Sequence, residues 1–294
     1  MYGSNGFDFI RKEITQTRLS KEQYDHLCQT KFLHGKPYAL HEIAFVTDLP
    51  KRFELGDADE NNPYHLFFYM LARLYYIDDE INPVKFYYPN KKNLYLSEQA
   101  LKYLPSRFQR LTEREEGLEY VELPGCEWSY WGINEYWVYD YVRNLFQEIW
   151  NSIPMIKGKY TYISRNKNSR RVRDIENEQE YLKKLKEMDV SVYTMESLTF
   201  VEQIRLFRQS ELITGPHGAS YAFMIFCHPQ THFFEINPDT SYYACYIDIA
   251  RRQGNPYKHF SHFKKIEKES GMLTIESEMY LEELQQIIDR CKKS

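Results

Sequence analysis

Between Glu211 and Ser220 the chain reads ELITGPHGAS, an apolar run entering a turn with two glycines, followed by small and apolar residues. Such a turn at the start of a helix can hold a phosphate. Gly215 and Gly218 admit close backbone approach, the helix N-terminus offers N–H groups and a partial positive charge, and His217 adds a donor. Pro216, Ala219 and Ser220 complete the turn. A strand-to-helix turn that merely needs glycine has the same pattern, so the neighbouring segments must decide between the two readings. Upstream, YTYISR ends in Arg165, and NKNSRRVRDIENE adds Arg170, Arg171 and Arg173. Guanidinium groups grip phosphate with two parallel hydrogen bonds, and a residue just beyond a strand lies at the edge where open α/β sheets bind ligands. Arg165 fits that role best, whereas Arg173 reads as a solvated charge balanced by Glu176, Glu178 and Glu180.

Other chemistry is less well supported. Asp57-Ala58-Asp59 is a literal DxD, and carboxylates suit hard divalent cations, but the preceding RFELG reads as part of a polar loop rather than a buried strand. No metal site is therefore expected. The histidine pairs His228/His232 and His259/His262 read as strand and loop residues without zinc-ligand spacing. Neither Ser nor Cys sits in a G-x-S-x-G elbow.

The elements that must carry these residues alternate. HEIAFVTDL, His41 to Leu49, reads as a strand ending in Asp48, with the loop KRFELGDADE after it. Asn62 is a good N-cap with Pro63 behind it, and Leu66, Phe67, Met70, Leu71 and Leu74 recur at helical spacing. Val84 to Tyr88 and Leu118 to Leu123 read as strands, with helices from Ser97 to Leu104 and from about Glu135 to Trp150. Pro154 and Gly158 mark NSIPMIKGK as a linker. A second series follows: strands at Tyr160 to Ser164 and Val190 to Thr194, helices begun by Asn177 with Glu180 and by Thr199 with Glu202, the glycine turn, the strand HFFEI and a helix near Tyr242 to Arg251. The pattern predicts an α/β protein of two doubly wound, Rossmann-like domains facing each other across a cleft, residues 1–152 and 153–278. A last helix within 279–294 is expected to pack back on the first domain.

Composition narrows the functional classes. Lys plus Arg number 38 against 42 Asp plus Glu, a net charge of −4, which argues against a general nucleic-acid binder. Aromatic residues make up 16% of the chain, too many for a disordered one. The five cysteines are odd in number and widely spaced, which reads as free thiols in a reducing, cytoplasmic compartment. The first residues, MYGSNGFDFIRKE, lack a signal-like apolar stretch, and no run approaches the length of a membrane span.

Taken in order, YISR with RRVRDIENE, ESLTFVEQIRLF, LITGPHGAS and FFEINP resemble the catalytic domain of glycosyltransferase family 61. The likeness falls on Arg165, Arg170 and Arg171, Asn177 and Glu178, Thr199 to Gln203, Gly215 to Ala219, and Glu235 with Pro238, covering about residues 160–240. In the first half, NPYHLFFYMLARL is similar to the family's Asn-Tyr-Phe-His segment through Asn62, Tyr64, His65 and Arg73. It departs at Tyr69, where an acidic residue often stands, and at Ala72, where a proline does. The resemblance implies a GT-B enzyme that inverts configuration, takes a UDP-sugar (commonly UDP-xylose or UDP-N-acetylglucosamine) and requires no metal or other cofactor. The chain looks most like bacterial or large-DNA-virus members, with a chlorovirus capsid-glycan xylosyltransferase as the particular likeness.

An inverting transferase needs a base for the acceptor hydroxyl and positive groups for the departing diphosphate. On this reading Arg165, Arg170, Arg171, the Gly215–Ser220 turn and Glu235 form the donor site. His65, in the first turn of its helix, and Asp48, at a strand end, are candidates for the base, with Glu127 a third. The loop holding Glu127, Trp128, Tyr130 and Trp131 between Gly125 and Gly132 would suit an oligosaccharide or glycoprotein glycan, because aromatic faces pack on sugar rings. A noncatalytic nucleotide-sugar or glycan-binding protein is the competing class.

Overall fold

The computed structural model describes residues 52–55, 62–76, 83–89, 95–116, 120–122, 128–129, 132–133, 137–165, 174–237, 245–266 and 272–293. Asp48 and its expected strand, Asp57, Asp59, Glu127, Tyr130, Trp131, Arg170, Arg171 and Pro238 lie outside the described residues, and Trp128 is described by its backbone alone. The chain divides into two compact units, residues 1–129 with 133–146, and residues 130–132 with 147–294.

The first unit holds a parallel sheet of four short strands: β1 (Arg52–Glu54), β2 (Val84–Tyr87), β3 (Phe108–Leu111) and β4 (Tyr120–Glu122), in the order β3-β2-β1-β4. Two of these correct the sequence reading. RFE, assigned to a polar loop, is the central strand β1, paired with both β2 and β4, and β3 was not expected at all. The helix after β1 begins as expected, with Asn62 Oδ1 accepting from the Tyr64 N–H at 3.0 Å and Pro63 in the first turn. It then departs from α geometry, running from an α turn (Pro63–His65) through a π segment (Leu66–Met70) to a 3₁₀ segment (Leu71–Tyr76). Leu66, Phe67, Phe68, Met70, Leu71, Ala72 and Leu74 are all fully buried, so packing on nearly every side overrides the regular repeat. Arg73 Nε donates to the Tyr69 carbonyl at 2.7 Å, a side-chain bond to the end of the π segment.

Beyond the first sheet, β5 (Trp128–Ser129) and β6 (Gly132–Ile133) form a two-stranded ribbon. The second unit is built on a five-stranded parallel sheet: β7 (Tyr160–Ile163), β8 (Val190–Tyr193), β9 (Leu212–Pro216), β10 (His232–Ile236) and β11 (Tyr257–Phe260), in the order β11-β10-β9-β7-β8. Every residue of β7 and β9 is buried, as expected for central strands covered on both faces. The helix Phe200–Gln209 starts with the expected capping box, Thr199 Oγ1 accepting from the Glu202 N–H and Glu202 accepting from the Thr199 N–H.

Three expectations for this unit are corrected. Asn177 precedes the helix Glu178–Glu187 but does not cap it with its side chain. Its amide instead binds the Ile275 backbone on both sides and donates to Ser277 Oγ, which ties down the start of the last helix. That helix, Ser277–Cys291, is part of the second unit's own core rather than returning to the first domain. Tyr280 stacks on Phe234 of β10 with centroids 5.5 Å apart, its hydroxyl meets Thr214 Oγ1 of β9 at 2.8 Å, and Leu284, Ile287 and Ile288 are buried with it. The segment read as a linker is likewise tied down: the Ile153 carbonyl accepts from Arg208 Nε, and the Gly158 N–H donates to buried Glu211. Leu284 is fully buried in this core, so Leu284→Ala is expected to destabilise the protein by about 2–5 kcal/mol in urea unfolding. A loss below about 1 kcal/mol, the range of surface changes, would contradict the packing described.

Candidate functional site

In sequence order the second sheet's strands run second, first, third, fourth, fifth across the sheet. The order reverses between β7 and β9, where the crevice at the carboxyl ends of a doubly wound sheet receives its ligand. Arg165 leaves the end of β7 there, and the Gly-Pro-His-Gly turn leaves the end of β9. The structure brings the two into contact, because a side-chain carbon on Gly218 would collide with the Arg165 guanidinium. Gly215 is required on two counts: its φ is +141°, and any side chain would strike the Ile163 backbone carbonyl. The turn is further held by the Tyr221 hydroxyl, which donates to the Gly215 carbonyl at 3.1 Å, and by the His217 N–H, which donates to Ile236 O at 2.9 Å. The following helix, Ala219–Phe226, is a 3₁₀ helix with Gly218 at its N-cap; Ser220 is half-buried, and the residues from Tyr221 onward are buried.

His217 is oriented by Glu235 near the end of β10. Glu235 pairs with Gly215 in the β9–β10 register, so the carboxylate and the imidazole two residues beyond Gly215 lie on one face. His217 Nδ1 meets Glu235 Oε1 at 2.7 Å, with side-chain exposures of 5% and 0%. A carboxylate only accepts, which puts a proton on His217 Nδ1. The other oxygen, Oε2, accepts from the Tyr257 hydroxyl and from His259 Nε2 at 3.1 Å. Burial opposes the charge on Glu235. Even so, the charge on His217 and the hydrogen bonds from His217, His259 and Tyr257 hold its carboxyl down at about 2, against an ordinary value of 4.5.

A second buried carboxylate supports Arg165. Glu178, at the start of its helix, accepts from Tyr162 OH at 2.8 Å and from Ser164 Oγ at 2.9 Å, anchoring the residue just before Arg165. Burial pushes its carboxyl up while the two hydroxyls hold it back. Gln203 donates to the Met195 and Leu198 carbonyls and shapes the loop between β8 and the next helix. Glu178 thus holds the root of Arg165, and Gln203 holds the loop after β8.

Of the expected donor residues, then, Arg165, Gly215, Pro216, His217, Gly218, Ala219, Ser220 and Glu235 come together at one sheet edge. In the first unit His65 is half-buried beside Tyr69, ring centroids 5.0 Å apart. The strand preceding its helix is β1, not the one expected to end at Asp48. RFELG, read as polar loop before the DxD, begins instead with the three residues of β1, Arg52–Glu54. Among the described residues no group of three His, Cys, Asp or Glu could hold a metal ion. Sequence reading passed over Tyr257 and read His259 only as a strand or loop residue, which it is, on β11. The alternation of β11, which puts both on the face shared with Glu235, was the signal available.

A parallel α/β unit thus gathers guanidinium, imidazole and glycine backbone at its switch point, groups of the kind that can hold a phosphate. The model of the family described as Glycosyltransferase 61 matches residues 63–234, and the chain belongs to that family. No curated protein matches the chain.

Because Glu235 titrates lower when folded than when free, its contribution to stability is complete above about pH 4.5 and is lost as the pH falls toward about 2. Urea unfolding across that interval is expected to be less acid-sensitive in Glu235→Gln than in the wild type. Equal acid slopes in the two proteins would contradict a charged Glu235.

Proposed function

We propose that the protein is an inverting glycosyltransferase that moves a sugar, xylose from UDP-xylose as the first choice, to a hydroxyl of an oligosaccharide or glycoprotein glycan. The family membership supports sugar transfer, and the observation that carries the donor reading is the contact of Arg165 with Gly218 at the β7/β9 switch point. The second unit would bind the donor diphosphate through Arg165, His217 and the turn's backbone, joined by Arg170 and Arg171. The likeness to the family supports a two-domain GT-B arrangement with the acceptor on the first unit. UDP-N-acetylglucosamine is the alternative donor. The described cysteines Cys227, Cys245 and Cys291 are free thiols, in keeping with a cytoplasmic, bacterial or virally encoded enzyme, and no described helix is long and apolar enough to cross a membrane.

In the proposed step the base removes the acceptor hydroxyl's proton, and that oxygen attacks the anomeric carbon from the face opposite UDP. The bond to UDP breaks with both electrons going to the β-phosphate oxygen. Arg165 and charged His217 would stabilise that oxygen in place of a metal. His65 is the first choice for the base and Asp48 the second. Tyr69, where relatives often carry an acid, favours a noncatalytic sugar-nucleotide binder as the rival; release of UDP on mixing donor and acceptor separates the two.

Arg165→Ala is expected to weaken UDP binding at least tenfold by calorimetry, about 1.4 kcal/mol, since a charge-assisted bond contributes about 1.5–3 kcal/mol. Gly218→Ala, which must push the guanidinium aside, is expected to weaken it in the same direction. Unchanged affinity in both variants would remove this edge from the donor site. In a transfer assay, His65→Ala is expected to lower kcat by roughly 10² to 10⁴ with UDP affinity nearly intact, and wild-type turnover is expected to persist in EDTA. Parallel loss of UDP binding and turnover in His65→Ala would make the residue structural, and activity abolished by EDTA and restored by Mn²⁺ would return Asp57 and Asp59 as ligands.

A further inference from the structure

Glu235 is shared. In the parallel register it pairs with Gly215 on one side and His259 on the other, so β9 and β11 deliver an imidazole each to the same carboxylate. His217 engages Oε1 at 2.7 Å and His259 engages Oε2 at 3.1 Å, with the Tyr257 hydroxyl on that second oxygen and the Asn237 amide 3.4 Å from it. Tyr257 and His259 lie beyond the stretch matched by the family model. We propose that His259 is a positioning residue of the donor site, drawing on the charge of Glu235 so that the two rings take up their second proton only with an anionic ligand, and thereby coupling anion binding to proton uptake. This rests on the reading of the sheet edge as a diphosphate site.

The coupling follows from the count of charges. A single carboxylate neutralises one imidazolium, and with two the cluster carries a net positive charge beside the switch point. The groups packed around it do not change this count near neutral pH. Burial pushes Tyr221, from the 3₁₀ helix, and Tyr257, from β11, well above the ordinary tyrosine range, and drives Cys245, on the helix Cys245–Gln253, up to about 12. Tyr246 of that helix lies with its ring 5.0 Å from His217, Asp248 of the same helix faces Arg251, and Arg165 stands beyond Gly218. Histidine is the side chain whose ordinary charge change falls near neutrality, and the cluster holds two. An arriving diphosphate favours their charged forms, and by reciprocity acidification must tighten its binding. His259 is 13% exposed in its side chain, whereas His217 is 5% exposed, which gives protons a route through the outer ring.

The test pairs a ligand-free readout with a binding one, using His259→Gln, whose amide N–H can reach the same oxygen without a charge. In ring ¹⁵N titrations without ligand, loss of the competing imidazolium is expected to move the His217 titration to higher pH by about half a unit or more. Calorimetry with UDP-xylose, whose diphosphate does not titrate near neutrality, is expected to show wild-type affinity rising several-fold from about pH 8 to about pH 6, with a flatter profile in the variant. A His217 titration unmoved by the substitution, or identical pH profiles, would overturn the proposal while leaving the donor reading intact. Coupled rings in a protein that binds no UDP-xylose would sink the donor reading and, with it, the coupling to anion binding. Should the variant fail to fold, wild-type calorimetry in two buffers of different ionisation enthalpy decides, since binding without net proton uptake contradicts the coupling.

Discussion

A carboxylate sealed from water is the constraint on which the second unit's site depends. Burying an isolated charge costs several kcal/mol, and removing one partner of a buried pair leaves a charge with nothing to balance it. Glu235 avoids that cost because three adjacent strands bring donors to it: His217 beyond β9, Tyr257 and His259 on β11, and Asn237 just after β10 itself. Those donors can meet the carboxylate only if the strands hold their register, so the ion cluster and the sheet edge specify each other. The same cluster fixes which face His217 presents and keeps a proton on its Nδ1.

Around that fixed point the glycines have distinct tasks. Gly215 permits the backbone of β9 to pass the Ile163 carbonyl in a conformation that other residues rarely adopt, and Gly218 leaves the space that the Arg165 guanidinium occupies. Glu178 holds Ser164, and through it the root of Arg165, from the other side of the switch point. Two buried carboxylates thus set the two side chains that the proposed transfer would use, one through an imidazole and one through a strand end. Catalytic electrostatics of this kind depends on groups held in place before the substrate arrives.

Much of this edge was legible in the sequence because its signals are local. The Thr199–Glu202 capping box, the apolar runs of β7 and β9 and the glycine turn each fit within ten residues, and the structure has them as read. What escaped depends on distant partners. β1 is three residues with charged ends, made a strand by neighbours on both sides rather than by its own pattern. The π segment at Leu66–Met70 arises from packing on nearly every side of a helix whose periodicity looks regular. Asn177 looks like a cap but spends its amide on Ile275 and Ser277, and His259 meets Glu235 only because β11 pairs with β10. The docking of the last helix on the second sheet follows from Tyr280 reaching Thr214 and Phe234, contacts that no short window contains.

The central claim is that the β7/β9 switch point holds the diphosphate of a nucleotide sugar, and a crystal structure of the protein with UDP tests it most directly. The account predicts the diphosphate within hydrogen-bonding distance of the Arg165 guanidinium, with His217 turned toward it and the backbone of the Gly215–Gly218 turn against its oxygens. UDP bound instead at the carboxyl edge of the first unit's sheet, with Arg165 and His217 untouched, would contradict it.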